Sequence, residues 1–150
     1  MSKMRVASDR RFSLPAGRTS VWEALLDVPA YPKWWPWLTE FDGRSLANGE
    51  TWSCGLRSPL GVLLQFRLRI DHIVERERIA ATISGDLDGT AWLTLTEAHD
   101  GSEVRLVSAL SPRSKVVSRI AAVSPPLAVW AHDRVIDTAA RQFRRSLDAT

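Results

Sequence analysis

Apolar and polar residues alternate with period two through the middle of this chain, and helical spacing dominates near its ends. Arg5 to Leu14 alternates enough to predict a first strand. Thr19 is then read as the N-cap of a helix whose apolar face is Trp22, Leu25 and Leu26. Pro29, Pro32 and Pro36 leave room for only a very short second helix around Tyr31 to Trp35. Phe41, a turn at Asn48-Gly49 and the run Thr51 to Leu56 predict a hairpin, because Asn-Gly takes the positive φ that tight turns need. Ser58-Pro-Leu-Gly61 makes the next turn. Leu64, Phe66, Leu68 and Ile70 then alternate with Gln65, Arg67, Arg69 and Asp71. Beyond the charged turn Glu75 to Arg78, the alternation resumes at Ile79, Ala81 and Ile83 and reaches a turn at Ser84 to Gly89. It continues through Ala91, Leu93 and Leu95, a turn at Asp100-Gly101, and Val104, Leu106 and Ser108.

Six consecutive strands joined by short turns cannot be a parallel sheet, whose crossovers take a dozen or more residues each. They predict an antiparallel meander with one apolar face and one carrying Arg67, Arg69, Glu103 and Arg105 in water. Lys115 to Val123 is a short amphipathic helix, stopped by Pro125-Pro126. The last helix, Leu127 to Leu147, must cover the apolar face of the sheet. At about 100° per residue, Val129, Ile136, Ala139, Ala140, Phe143 and Leu147 share one stripe, and Arg134, Arg141 and Arg145 point away. His132 and Asp133 flank the midline of that stripe. A stripe made only for packing would place aliphatics there, since an unpaired buried polar group costs about 1–3 kcal/mol. The pattern therefore points to a helix that covers something partly polar or hollow.

The 150 residues fit one domain spanning 1–150. Seven tryptophans supply wide, rigid apolar surface suited to a deep core or to a greasy pocket. The net charge of +3 is spread along the chain, and no basic stripe predicts nucleic-acid binding. Cys54 is the only cysteine, so an internal disulfide is excluded and a reducing compartment fits. No secretory signal and no membrane-spanning run is evident, and the expected location is cytoplasmic, without stable membrane insertion.

Strand, two short helices, a meander and a long last helix follow the order of the helix-grip fold. The chain resembles the START-like (SRPBCC) superfamily, and within it the polyketide cyclase/dehydrase and lipid transport group. The resemblance rests on Val21-Trp22-Glu23, on Tyr31-Pro-Lys-Trp-Trp-Pro36, on Ser84-Gly-Asp-Leu-Asp-Gly89, and on Pro126 through His132-Asp-Arg-Val135. It implies an α+β fold in which a curved antiparallel sheet of about seven strands wraps around the C-terminal helix. It also implies a cavity for a small hydrophobic molecule such as a lipid, isoprenoid or aromatic polyketide. Two departures stand out: Ala131 replaces an Asn expected before the His-Asp pair, and Thr138 and Ala139 occupy a region where a mid-helix Gly is expected.

The expected cavity lining is Trp52, Cys54, Leu64, Phe66, Leu68, Leu93 and Leu106 from the sheet, with Trp35, Val129, His132, Asp133 and Ile136 from the helices. His132 and Asp133 are the weak catalytic candidates, as acid or base in a cyclase or aromatase reaction; no catalytic residue is assigned. The bland alternative has His132 donating to a strand carbonyl and Asp133 pairing with an arginine. Being adjacent, the two point about 100° apart and are not a ready dyad. Asp137 and Arg141 are spaced for a helix-surface ion pair. Trp34, Trp35 and Trp37 are read either as a gate over the pocket or as a clamp holding the small helices to the sheet. Cys54 is expected to be an inert buried thiol. No spacing supports a metal site, a phosphate cradle, a hydrolase elbow or a dinucleotide fingerprint, and no cofactor is expected. A third reading is a protein-interaction adaptor with a filled core. The chain is expected to be a monomer or a homodimer.

Overall fold

The structure is a computed structural model and describes residues 5–148. Strand β1 (Val6–Leu14) leads into helix α1 (Arg18–Leu26), a single 3₁₀ turn and the one-turn helix α2 (Tyr31–Trp34). Six strands follow: β2 (Leu38–Phe41), β3 (Thr51–Arg57), β4 (Leu63–Val74), β5 (Arg78–Gly85), β6 (Leu87–Ala98) and β7 (Gly101–Pro112). Helices α3 (Lys115–Val123) and α4 (Pro125–Asp148) complete the chain.

All strand pairs are antiparallel, in the order β1-β7-β6-β5-β4-β3-β2. The meander is thus β2 to β7, and β1 closes it by pairing with β7 from Val6↔Leu110 to Leu14↔Ser102. The register slips between Ile70 and His72 in β4, an extra residue that bends the strand and curls the sheet. The concave face so formed receives α4, as an α+β helix-grip fold requires.

Several local features differ from the sequence reading. Helix α1 starts one residue before Thr19, at Arg18, with Gly17 as its cap. Its first amide is satisfied from the sheet, since Arg18 N–H donates to Glu97 Oε1 at 2.7 Å, a tertiary cap that no local motif announces. Asn48-Gly49 does not close a tight hairpin. It ends the longer segment 42–50, which Gly49 N–H and Ile70 N–H dock against β4 through backbone bonds of 2.8 Å each. The Ser84 to Gly89 segment is mostly strand, with only Asp86 between β5 and β6. Gly89 is needed there because a Cβ would lie 1.9 Å from the Ala109 carbonyl oxygen. The two carboxylates of this turn pin neighbouring chain: Asp86 Oδ2 accepts from Gln65 N–H at 2.7 Å, and Asp88 pairs with Arg113 at 3.3 Å.

The core is densest at one end of the grip. Leu14, Val21, Trp22, Leu25, Leu95, Val104 and Phe143 form one buried cluster, and Val28, Tyr31, Trp52, Cys54, Ile70 and Ala81 form the adjoining one. Trp34 packs edge-on against Phe143 at 5.2 Å between centroids, and Tyr31 contacts Trp34, Trp35, Phe41 and Trp52. The Tyr31 hydroxyl donates to the Leu25 carbonyl at 2.6 Å, and burial holds its pKa above the ordinary phenol value.

Candidate functional site

The other end of the grip is hollow. A cavity of about 310 Å³ lies between the concave sheet and the first half of α4, at the lower end of the range usual for small-molecule sites. Leu64, Phe66 and Leu68 of β4, Ile83 of β5, Ala91 of β6 and Leu106 of β7 form its floor. Leu60 and Val62 of the β3–β4 turn and Val117 and Ile120 of α3 close its end, and Ala128, Ala131, Val135 and Ile136 of α4 form its roof. The space exists because alanines stand where larger side chains would fill it. Two roomier recesses, of about 560 and 530 Å³, are open surface grooves with charged residues in their walls.

Three polar side chains reach the cavity wall: Ser58, Ser108 and His132. Ser58 is engaged in its own turn, where Oγ accepts from Val62 N–H at 3.2 Å. Ser108 Oγ and His132 Nε2 are 3.2 Å apart, and His132 Nδ1 lies 3.4 Å from Asp133 Oδ1. Asp133 Oδ1 also accepts from Ser8 Oγ at 3.1 Å. Because Ser8 and Ser108 are directly opposed across β1 and β7, the four side chains form one hydrogen-bonded line across the seam where α4 meets the sheet. An ionised carboxylate can only accept, so the tautomer compatible with both ring contacts carries its proton on Nδ1 and accepts the Ser108 proton at Nε2. One turn further along, Arg10 grips both oxygens of Asp137 at 2.6 Å each, which raises the Arg10 pKa.

Residues 5–149 match the family described as "Polyketide cyclase / dehydrase and lipid transport". The chain belongs to that family. No curated protein sequence matches it. Among solved structures, Ara h 8.0201 superposes with a TM-score of 0.73 at 14% identity, covering 98% of this chain and 100% of that one. A START superfamily protein from Mycobacterium smegmatis gives 0.71 at 12% identity, covering 97% of each chain. A protein from Chromobacterium violaceum gives 0.69 at 19% identity, covering 95% of this chain and 96% of its own. These likenesses show the helix-grip fold.

Within this family member, six of the twelve expected lining residues stand on the cavity wall: Leu64, Phe66, Leu68, Leu106, His132 and Ile136. The other six stand elsewhere. Trp35, Trp52, Cys54 and Leu93 belong to the packed end of the core. Val129 is partly exposed. Asp133 faces the outer groove beside β1, reaching the cavity only through His132. The helix stripe is displaced because Ala128 and Ala131, too small to weigh in a hydrophobic pattern, are what face the hollow.

Trp34 and Trp35 pack against the strand residues of the core, and the tryptophans also grip the last helix. Trp35 Nε1–H donates to the Ala139 carbonyl at 3.0 Å, and Trp37 Nε1–H to Gln142 Oε1 at 2.7 Å. The expected Asp137–Arg141 pair gives way to Arg10, whose planar fork reaches from β1, and Arg141 turns to Thr138 Oγ1 at 3.2 Å. The adjacent His132 and Asp133 side chains do lean into contact despite their angular separation. Cys54 is buried, and burial followed by the nearby Asp42 carboxylate pushes its thiol up to about 12. Among the described residues, no group of three or more His, Cys, Asp or Glu is placed to hold a metal ion, and no helix is long and apolar enough to cross a membrane. Sequence reasoning missed Ser8, Arg10 and Ser108 as partners of α4. Their polar character at inward-facing strand positions was the available signal.

Proposed function

We propose that this protein binds a small hydrophobic molecule in the cavity beneath α4, with the ligand's single polar group directed at Ser108 and His132. The carrying observation is the cavity itself: about 310 Å³ with an almost wholly aliphatic wall and one hydrogen-bonding pair. An apolar chain or ring system of modest size, ending in a hydroxyl or carbonyl, matches that distribution of groups. A filled-core adaptor requires the opposite arrangement.

The test is titration with the neutral fluorophore N-phenyl-1-naphthylamine. Wild-type protein is expected to bind it saturably, and Leu106→Trp, which fills the cavity from its floor, to weaken binding by about tenfold or more. Absence of saturable binding to folded wild-type protein, or unchanged affinity in L106W, overturns the reading. Mass spectrometry of an organic extract of protein from its native host then identifies the resident ligand.

A second reading is favoured by the ring contacts of His132. A carboxylate at Nδ1 and an Nε2 at the wall of an apolar cavity, held there only by the rotatable Ser108 hydroxyl, are what a general base acting on a carbonyl compound requires. In a cyclase or aromatase, confinement of the chain supplies much of the remaining advantage. The check is deuterium exchange at the α-carbon of a bound aryl alkyl ketone in D₂O. Enolisation transfers the α-proton to Nε2, and reprotonation returns deuterium. His132→Ala should abolish the protein-dependent exchange and leave ketone affinity within severalfold; equal loss of both makes His132 a binder.

A further inference from the structure

The corner between α3 and α4 is apolar on the outside as well as on the inside. From Ile120 to Ala131 no residue bears a formal charge, and from Val104 to His132 there is no carboxylate. Val117, Ile120, Ala128 and Ala131 account for the inner side, where they line the cavity. Outside, Val116, Val123, Leu127, Val129 and Trp130 are all exposed, Val123 by 86%. Single exposed apolar residues are ordinary on protein surfaces, whereas five on one helix corner form a patch.

Apart from Asp133 and Asp137, which share the outer groove with Trp130 and are held by Ser8 and Arg10, the charges around this patch are cationic. Lys115 and Arg119 are exposed on α3, and the Arg134 guanidinium lies 5.9 Å from the Trp130 ring centroid. A tryptophan stacked with arginine suits the boundary between acyl chains and headgroups: the ring enters the apolar layer and the guanidinium meets phosphate. Val123, at the apex where α3 ends, protrudes into solvent, so the patch is shaped to insert into a soft surface.

We propose that the α3–α4 corner docks on an anionic lipid bilayer and thereby presents the adjoining end of the cavity to the membrane. The docking stands on surface residues alone; its purpose, ligand exchange, rests on the reading of the cavity as a ligand site. A bilayer is favoured over a protein partner because Val123 protrudes at the apex of the patch, both charges on α3 are exposed cations, and the patch is backed directly by the cavity roof.

Flotation with large unilamellar vesicles tests it. Wild-type protein should bind vesicles of equimolar phosphatidylcholine and phosphatidylglycerol, about tenfold more weakly when phosphatidylglycerol is omitted, and more weakly as salt is raised. The double variant Val123→Asp with Leu127→Asp should lose about tenfold or more in vesicle affinity, with its melting temperature unchanged because both side chains face out. Arg119→Glu should weaken binding to the anionic vesicles alone. Failure of the wild type to bind anionic vesicles, or undiminished binding by the double variant, overturns the proposal. A concentration-dependent dimer lost in the double variant, without vesicle binding, would assign the patch to a second copy and overturn it equally. The two readings separate cleanly: the double variant should keep full affinity for N-phenyl-1-naphthylamine in solution, and L106W should lose the fluorophore while still floating with vesicles.

Discussion

One helix and one sheet make two different interiors in this protein. Toward its C-terminal end, α4 lays Phe143 into a cluster with Trp22, Leu25 and Leu95, braced by Trp34 and Trp35. Toward its N-terminal end, the same helix offers Ala128 and Ala131 across from Ala91 and Leu106, and a cavity remains. The division follows residue volume. Five tryptophans (Trp22, Trp34, Trp35, Trp37 and Trp52) lie at the packed end, and Trp92 and Trp130 are exposed on the surface. None lines the hollow. The aromatic wealth of the chain therefore builds the anchor that holds α4 in place, and a scarcity of bulk elsewhere builds the site.

The sharpest way to break this comparison is to truncate one side chain at each end. Phe143→Ala removes a ring whose edge and faces are filled by Trp34 and Trp35, and should cost about 3–5 kcal/mol in urea denaturation. Leu106→Ala removes atoms that already border empty space, so fewer contacts vanish and the loss should be about 2 kcal/mol or less. Equal costs would mean that the hollow end is as tightly packed as the other.

Enlarging side chains should reverse the ranking. Val21 is fully buried, and Val21→Phe should destabilise by about 1–3 kcal/mol through overpacking. Ala128→Leu projects into the cavity and should change stability by less than about 1 kcal/mol while reducing fluorophore affinity. A large penalty for Ala128→Leu would place the cavity's free volume away from the helix roof.

The fold was legible because alternation and turns carry it: Leu64 to Ile70 and Ala91 to Leu95 sit on the face their parity predicts, and α3 occupies Lys115–Val123 as read. The cavity wall was half legible. Parity tells which side of a strand faces inward and cannot tell where along the strand the interior is empty: Trp52 and Cys54 share the inward face of their cross-strand partners Leu68 and Phe66, yet only the latter two reach the cavity wall. On α4 the misplaced residues are Val129 and Asp133, because hydrophobic periodicity weights large side chains and the site is made by small ones. The seam partners Ser8 and Arg10 come from a strand more than a hundred residues away, and Ser108 from a strand separated from the helix by α3, so no local spacing connects them to His132, Asp133 and Asp137.

The smallest effect concerns the one ionisable thiol, which belongs to the packed end. Burial raises Cys54 from an ordinary value of 9.0 to about 12, so the folded state keeps its proton over a window in which the unfolded chain has lost it. Stability falls with pH where the native state binds more protons than the unfolded one. The thiol's contribution is therefore intact below pH 9 and declines as pH rises toward 12. Between pH 8 and 10 wild-type protein should lose about 1 kcal/mol more stability than Cys54→Ala, a comparison that leaves the titration of Tyr31 common to both. Urea denaturation of the two proteins at each pH measures it. Parallel stability curves would show that water reaches Cys54, from the hollow or from the surface groove it borders, and that this end of the grip is not solid.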